Sequence, residues 1–237
     1  MKPGKLYLIP TPIAEESFGA TIIKSNIDFV NAIEFFIVEN AKEARRFLKA
    51  CNYPDIQNAK LELLNEHNKE VPIEYLIKPL LEGSNMGLMS DAGCPGVADP
   101  GARVVEVAHK NNIEVIPLVG PSSILLSVMS SGFNGQSFAF VGYLPIDGVK
   151  RKASVTDLEK ISRKCNQSQF FIETPYRNIK LLEELLSVLN PDTLLFVGAG
   201  ITGRNAIIKS MKVREWKISK MPEINKVPTV FGIYCQR

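Results

Sequence analysis

Ser90 and Asp91 end the apolar run Met86-Gly87-Leu88-Met89 and open a loop in which Gly93, Gly96 and Gly101 are interleaved with Pro95 and Pro100. Glycine permits backbone conformations and close approaches that a Cβ would block, and proline fixes φ, so the combination specifies one loop path. Val104, Val105, Val107 and Ala108 then share a helical face, with Asp99 as the expected N-cap. A strand, a shaped loop and a helix in that order form the place where open α/β sheets take ligands. A tight structural turn uses the same residues, and the spacing alone leaves both readings open. Other chemistry is excluded by count. His67 and His109 are too few for a multi-histidine metal site, and Cys51, Cys94, Cys165 and Cys235 show no paired metal-ligand spacing, so we expect no metal and reduced thiols in a cytoplasm. Cys94 reads as a small space-filling residue of the loop. Lys150-Arg151-Lys152 is a basic cluster that fits either solvated surface or a polyanion contact. Gly198-Ala199-Gly200-Ile201-Thr202-Gly203 fits the dinucleotide spacing GxGxxG, but strand-like residues follow where a helix is required, and we decline it.

The elements that must position these residues alternate. Leu6–Ile9 is a buried-strand candidate that Pro10-Thr11-Pro12 ends, and Phe35–Val38 delivers Glu39 and Asn40 to its carboxyl end. Helices are predicted over residues 21–33, 41–50, 71–82 and 102–109, and strands over 60–64 and 115–118. This βα alternation predicts a mostly parallel sheet. Gly120-Pro121 is the expected boundary between domains 1–119 and 120–237. Beyond it come helices over 122–131, 158–165 and 179–189, and strands over 138–144, 170–172, 194–197 and 227–234. With 237 residues, 45% apolar, 22% charged and a net charge of +3, the chain has the balance of a globular α/β protein. The opening apolar run is too short for a signal peptide, and no later stretch approaches a membrane span.

Taken in order, Leu6-Tyr7-Leu8-Ile9-Pro10-Thr11-Pro12-Ile13, Ser90-Asp91-Ala92-Gly93-Cys94-Pro95-Gly96, Asp99-Pro100-Gly101, Gly120-Pro121-Ser122-Ser123, Ser131-Gly132, Phe140-Val141-Gly142-Tyr143-Leu144-Pro145 and Glu173-Thr174-Pro175-Tyr176-Arg177 resemble the tetrapyrrole methylase superfamily of S-adenosylmethionine (SAM) methyltransferases. The likeness covers most of the chain. It is nearest to the branch that methylates a cytidine ribose 2′-oxygen in small-subunit ribosomal RNA, a branch whose pattern Asn65-Glu66-His67-Asn68 also matches. The resemblance implies two α/β domains with mostly parallel, helix-flanked sheets, S-adenosyl-L-methionine in a cleft between them, and a homodimer acting on ribosomal RNA or the small ribosomal subunit.

By likeness, Pro12, Ile13, Asp91, Ala92, Gly93, Val97, Ser122 and Ser123 line the cofactor, as do Gly198, Pro228 and Thr229. Methyl transfer to a ribose hydroxyl gains from a nearby base, for which Glu39 and Glu173 stand at strand ends. A helix-capping role is the competing reading for both. Arg177 is the cation expected at a phosphate and Tyr176 the ring expected to stack on a base, with Arg45, Arg46, Lys150, Arg151 and Lys152 as further phosphate contacts. The chain departs from the ribosomal branch in four places. Ala14-Glu15-Glu16 replaces a Gly-Asn-Leu run, Asn40-Ala41-Lys42 an Asp-Thr-Arg run, and Gly200-Ile201-Thr202-Gly203 a Glu-Leu-Thr-Lys run, and we expect no counterpart of the branch's small C-terminal domain. Methylation of a tetrapyrrole or other small molecule, and a non-catalytic SAM- and RNA-binding module, are the alternatives.

Overall fold

The apolar run after Lys5 folds as β1 (Lys5–Ile9) in the computed structural model, which describes residues 2–65, 68 and 70–236. Leu6 and Leu8 pack into one apolar cluster, and Tyr7 and Ile9 into another. This is the alternation of a strand covered on both faces, which is why it reads as an unbroken apolar run. Strands β2 (Phe35–Val38), β3 (Lys60–Leu63), β4 (Met86–Met89) and β5 (Glu114–Pro117) join it in the order β3-β2-β4-β1-β5, every pairing parallel. Parallel neighbours need crossovers, supplied by α1 (Phe18–Thr21), α2 (Lys24–Asn31), α3 (Ala41–Ala50), α4 (Ile73–Leu76), α5 (Lys78–Leu81) and α6 (Ala102–Lys110). The helix expected over 71–82 is two short helices that meet at Ile77, because Pro79 has no N–H to continue the ladder. The chain divides into two compact units, Met1–Ser122 and Ser123–Arg237, three residues beyond the boundary expected from sequence.

The second unit contains α7 (Ser123–Ser131), β6 (Phe138–Tyr143), α8 (Gly148–Cys165), β7 (Ser168–Ile172), α9 (Asn178–Val188), β8 (Leu194–Ala199), β9 (Ile207–Lys212), α10 (Val213–Ile218) and β10 (Thr229–Tyr234). Its sheet runs β6-β7-β10-β8-β9, and only β6 and β7 pair parallel. The parallel expectation therefore holds in the first unit and fails here. Only a short turn joins β8 to β9, too little chain for a crossover, so the two close as an antiparallel hairpin. The GxGxxG-like segment starts in β8 and passes at Gly200 into the turn of that hairpin, with Gly200 and Thr202 at φ +57° and +72°. Helix α8 begins ten residues before its expected start, at an Asp147 N-cap that accepts the Lys150 N–H at 2.9 Å. Its first turns escape an apolar-periodicity search because the buried residue there is Arg151. Strand β10 starts after Pro228 rather than running through it, as a residue without an N–H at a strand edge requires. Phe171, Leu195, Val197 and Phe231 pack under α8, α9 and α10 on one face of the sheet, and Phe170, Phe196 and Val230 form a smaller cluster with Val128 and Phe133. No helix among the described residues is long and apolar enough to cross a membrane.

Candidate functional site

The loops that leave β1 and β4 are tied to each other at the carboxyl ends of adjacent parallel strands. Thr11 and Gly93 exchange both backbone hydrogen bonds, at 2.9 and 3.1 Å, and the buried Thr11 hydroxyl donates to the Ser90 carbonyl at 3.1 Å. Gly93 and Gly96 sit at φ +77° and +82°, where a side chain would be strained. Asp99 does not cap α6, contrary to the sequence expectation. Its carboxylate accepts the N–H of Gly96 at 2.9 Å and of Gly101 at 2.7 Å, pinning the loop's two ends, and Gly101 itself takes the N-cap position. The β5 loop joins the same end of the sheet. The Cys94 thiol donates to the Pro121 carbonyl at 3.3 Å, and the buried Asn26 amide donates to the Val119 carbonyl at 2.7 Å. Burial pushes the Cys94 thiol above its usual pKa, which suits a packing role better than a nucleophile.

Beside these loops opens a cavity of about 280 Å³, lined by Thr11, Pro12 and Ile13, by Ser90 and Asp91, and by α3 through Glu43, Ala44, Arg46 and Phe47. Glu15 and Phe18 complete the wall on the side of the β1 loop, and Ala50 belongs to the α3 side. Partial burial, with the charge of Glu43 adding to it, raises the Asp91 pKa above the ordinary carboxylate value. Glu39 reaches the same loop from β2, and its Oε1 accepts the Asp91 N–H at 3.0 Å. The Asn65 amide donates to the Glu39 carbonyl at 3.3 Å, while Glu66 and His67 of the same motif lie outside the described residues. Pro12, Ile13, Asp91 and Glu39 are thus brought together. Gly93 and Ala92 belong to the tied loop, whereas Val97 is half exposed further along it. The α3 contribution to this wall carries no motif by which it could be read in advance. Arg46, expected at a phosphate, is half exposed and bridges Glu15 at 2.8 Å and also Glu43.

Each remaining site candidate has its own setting. Ser122 ends the first unit and Ser123 begins α7, where its carbonyl accepts the Ser127 hydroxyl at 2.7 Å. Gly198 is buried inside β8, and a Cβ there would lie 2.7 Å from the Phe196 ring. The Pro228 carbonyl accepts the Gly200 N–H at 2.9 Å. The buried Thr229 hydroxyl donates to the Val227 carbonyl at 2.8 Å and receives the Asn178 amide at 3.0 Å. Glu173 is 5% exposed, and its Oε1 accepts from the Thr174 N–H at 2.6 Å, the Thr174 hydroxyl at 3.2 Å and the Arg177 Nη2 at 2.7 Å. It holds Arg177 in place and is not open to take a proton from a substrate. Tyr176 stands 69% exposed, with the Arg177 guanidinium 6.0 Å from its ring centre.

Arg151 requires a correction. It was expected at a phosphate, but it is buried, with Nε and Nη2 on the two carboxylate oxygens of Glu184 at 3.0 and 2.7 Å and Nη1 on the Ile146 carbonyl at 2.8 Å. Its donors are spent inside the unit. No group of three or more metal-ligating side chains stands together among the described residues.

No family model matches the chain. Individual relatives do. It is 30% identical over 210 residues to the ribosomal RNA small subunit methyltransferase I of Vibrio cholerae, a match covering 89% of this chain and 69% of that protein. The protein of the same name from Thermotoga maritima is 30% identical over 200 residues, covering 84% of each, and that of Halalkalibacterium halodurans is 32% identical over 189 residues, covering 78% of this chain and 61% of the relative. The chain therefore spans between about three fifths and four fifths of these relatives' lengths. Identity of this extent shows that the chain belongs to the ribosomal RNA small subunit methyltransferase I family.

Proposed function

We propose that the chain binds S-adenosyl-L-methionine at the tied loops of β1 and β4 and methylates a ribose 2′-hydroxyl of small-subunit ribosomal RNA. The observation that carries the proposal is the convergence of Pro12, Ile13 and Asp91 on one cavity at the carboxyl ends of parallel strands, in a chain of this family. The residues fit such a ligand. Apolar walls at Pro12, Ile13, Phe18 and Phe47 suit a nucleoside or thioether surface, and the surrounding carboxylates favour a cationic centre. When bound, SAM supplies an electrophilic methyl group.

The chain's own contribution is mainly placement. Glu39 fixes the Asp91 backbone, and Asp91 offers a carboxylate to the cation. Glu173 fixes Arg177, which with Tyr176 presents a cation and a stacking face to RNA. Both glutamates are engaged by donors in this way, so the rate enhancement comes from aligning hydroxyl and methyl group for in-line displacement. Two copies pair, a reading supported by Met129, Ile146 and Val149 of the second unit, whose apolar side chains are 76–79% exposed. A ribosomal substrate makes the cytoplasm the working compartment.

Calorimetric titration with SAM, followed by labelling of small ribosomal subunits from a strain lacking the gene, tests the proposal. One site per chain and a new 2′-O-methyl group in nuclease fragments are expected. No heat at millimolar SAM, or unlabelled particles, would refute it.

A further inference from the structure

The segment 204–226 carries seven Lys or Arg residues against two acids, a net charge of +5 in a chain whose total is +3, so the rest of the chain nets −2. All of the protein's positive excess resides in this one stretch of the second unit. It runs along the edge strand β9, through α10, and back beneath the turn that bears Tyr176. An edge strand alone would account for Lys209 and Lys212, since lysine there discourages strand pairing. It does not account for Lys217, Lys220 and Lys226, which lie off the strand.

The cations differ in what holds them. Lys212 and Arg214 share Asp192, at 3.6 and 2.8 Å, and Lys220 pairs with Glu223 at 3.6 Å. Among the described residues, Lys209, Lys217 and Lys226 have no acidic partner, and the Lys209 ammonium rests 5.3 Å from the Trp216 ring centre. At the Lys212 end of β9 a polar notch of about 290 Å³, large enough for a phosphate group, opens between Arg163 and Lys212 beside Asp192. At the end of the stretch the Lys226 N–H donates to the Pro175 carbonyl at 3.0 Å, so the stretch finishes against the turn of Tyr176 and Arg177.

We infer that β9, α10 and the following segment form the docking track for the RNA backbone, leading the strand toward Tyr176 and Arg177. The inference rests on the ribosomal RNA substrate proposed above. A polyanion is the partner that a concentrated, partly unneutralised cation row selects, through release of condensed counterions. The track also replaces the phosphate contact expected at Arg151, whose donors are spent on the buried Glu184 carboxylate.

The test measures binding of a labelled single-stranded fragment of small-subunit ribosomal RNA by fluorescence anisotropy across a salt series, using the full chain. The variant Lys209→Gln/Lys217→Gln/Lys226→Gln changes only exposed side chains, and circular dichroism with a thermal midpoint checks its fold. Its log–log salt slope should fall by about 0.7 per lost contact, with affinity roughly tenfold or more lower near 0.1 M salt and SAM binding by calorimetry unchanged. The control Lys150→Gln/Lys152→Gln should keep the wild-type slope. Wild-type RNA affinity in the triple variant, or an equal loss in the control, overturns the track while leaving the RNA substrate standing. A wild-type protein that binds SAM but no RNA at low salt overturns the substrate and the track together.

Discussion

Replacing Arg151 with alanine separates a structural cation from an RNA contact, because the two roles fail in different assays. The Arg151 and Glu184 side chains are 7% and 10% exposed, and their side-on pair uses both carboxylate oxygens. Truncation leaves Glu184 charged, buried and alone, which costs about 3–5 kcal/mol. It also takes the donor from the Ile146 carbonyl just ahead of α8, which argues for the upper part of that range. If the second unit unfolds by itself, each kcal/mol moves the midpoint of a unit of about 115 residues by roughly 4 °C, so a fall of roughly 12–20 °C is expected. Trp216, the chain's one tryptophan, is buried in that unit, and its fluorescence during urea unfolding reports the unit directly. The double variant Arg151→Met/Glu184→Leu should recover much of the loss, since removing both charges leaves none stranded. An Arg151→Ala protein that unfolds at the wild-type urea concentration yet binds RNA more weakly would refute the structural assignment.

Three further outcomes are expected. Asp91 in the free protein has a raised pKa, so a proton competes with a cationic ligand from a higher pH than at an ordinary aspartate. SAM affinity measured by calorimetry should therefore weaken as pH falls toward the carboxylate range, and Asp91→Asn should bind roughly tenfold more weakly at pH 7 and lose that acid dependence. Thr11→Val keeps the backbone exchange with Gly93 but loses the hydroxyl bond to Ser90, so it should cost about 1 kcal/mol in urea unfolding and affect SAM binding less than Asp91→Asn. Gly120→Ala would put a Cβ 2.2 Å from the Pro10 ring, which cannot rotate away, and should destabilise the first unit by about 1–3 kcal/mol in the same assay.

The first unit was legible because its inner strands β1, β2 and β4 are apolar runs, each followed by a proline or polar residue that breaks the run. Ala41–Ala50 is legible for the same kind of reason, with Asn40 capping it and Ala44, Phe47 and Leu48 on its buried face. The second unit hid its antiparallel half, since apolar strands look alike whichever way they pair and only connection length separates the cases. At the candidate site, glycine and proline marked the tied loops, but charged residues misled. Arg151 and Glu173 read as groups awaiting a substrate, yet each is buried and held by a partner within its own unit. Glu173 holds Arg177 in place beside the exposed Tyr176 ring. Sequence shows which side chains can ionise; it does not show which have already spent their hydrogen bonds.

The strand order of the second unit also bears on how the protein is made. Strand β10 is the last of the ten to leave the ribosome, yet it lies in the middle of its sheet, paired with β7 on one side and β8 on the other. Until it arrives, β7 and β8 each leave a backbone edge unpaired, and the apolar cluster around Phe171, Leu195 and Val197 lacks Phe231 and Ile233. In the first unit the middle strand is β4, fourth of five in chain order, so β1 and β2 also wait for a later strand, but only β5 then remains to be made. During synthesis the two units thus mature in sequence, and the nascent second unit is a set of open sheet edges that must be kept from other chains until its keystone strand is released.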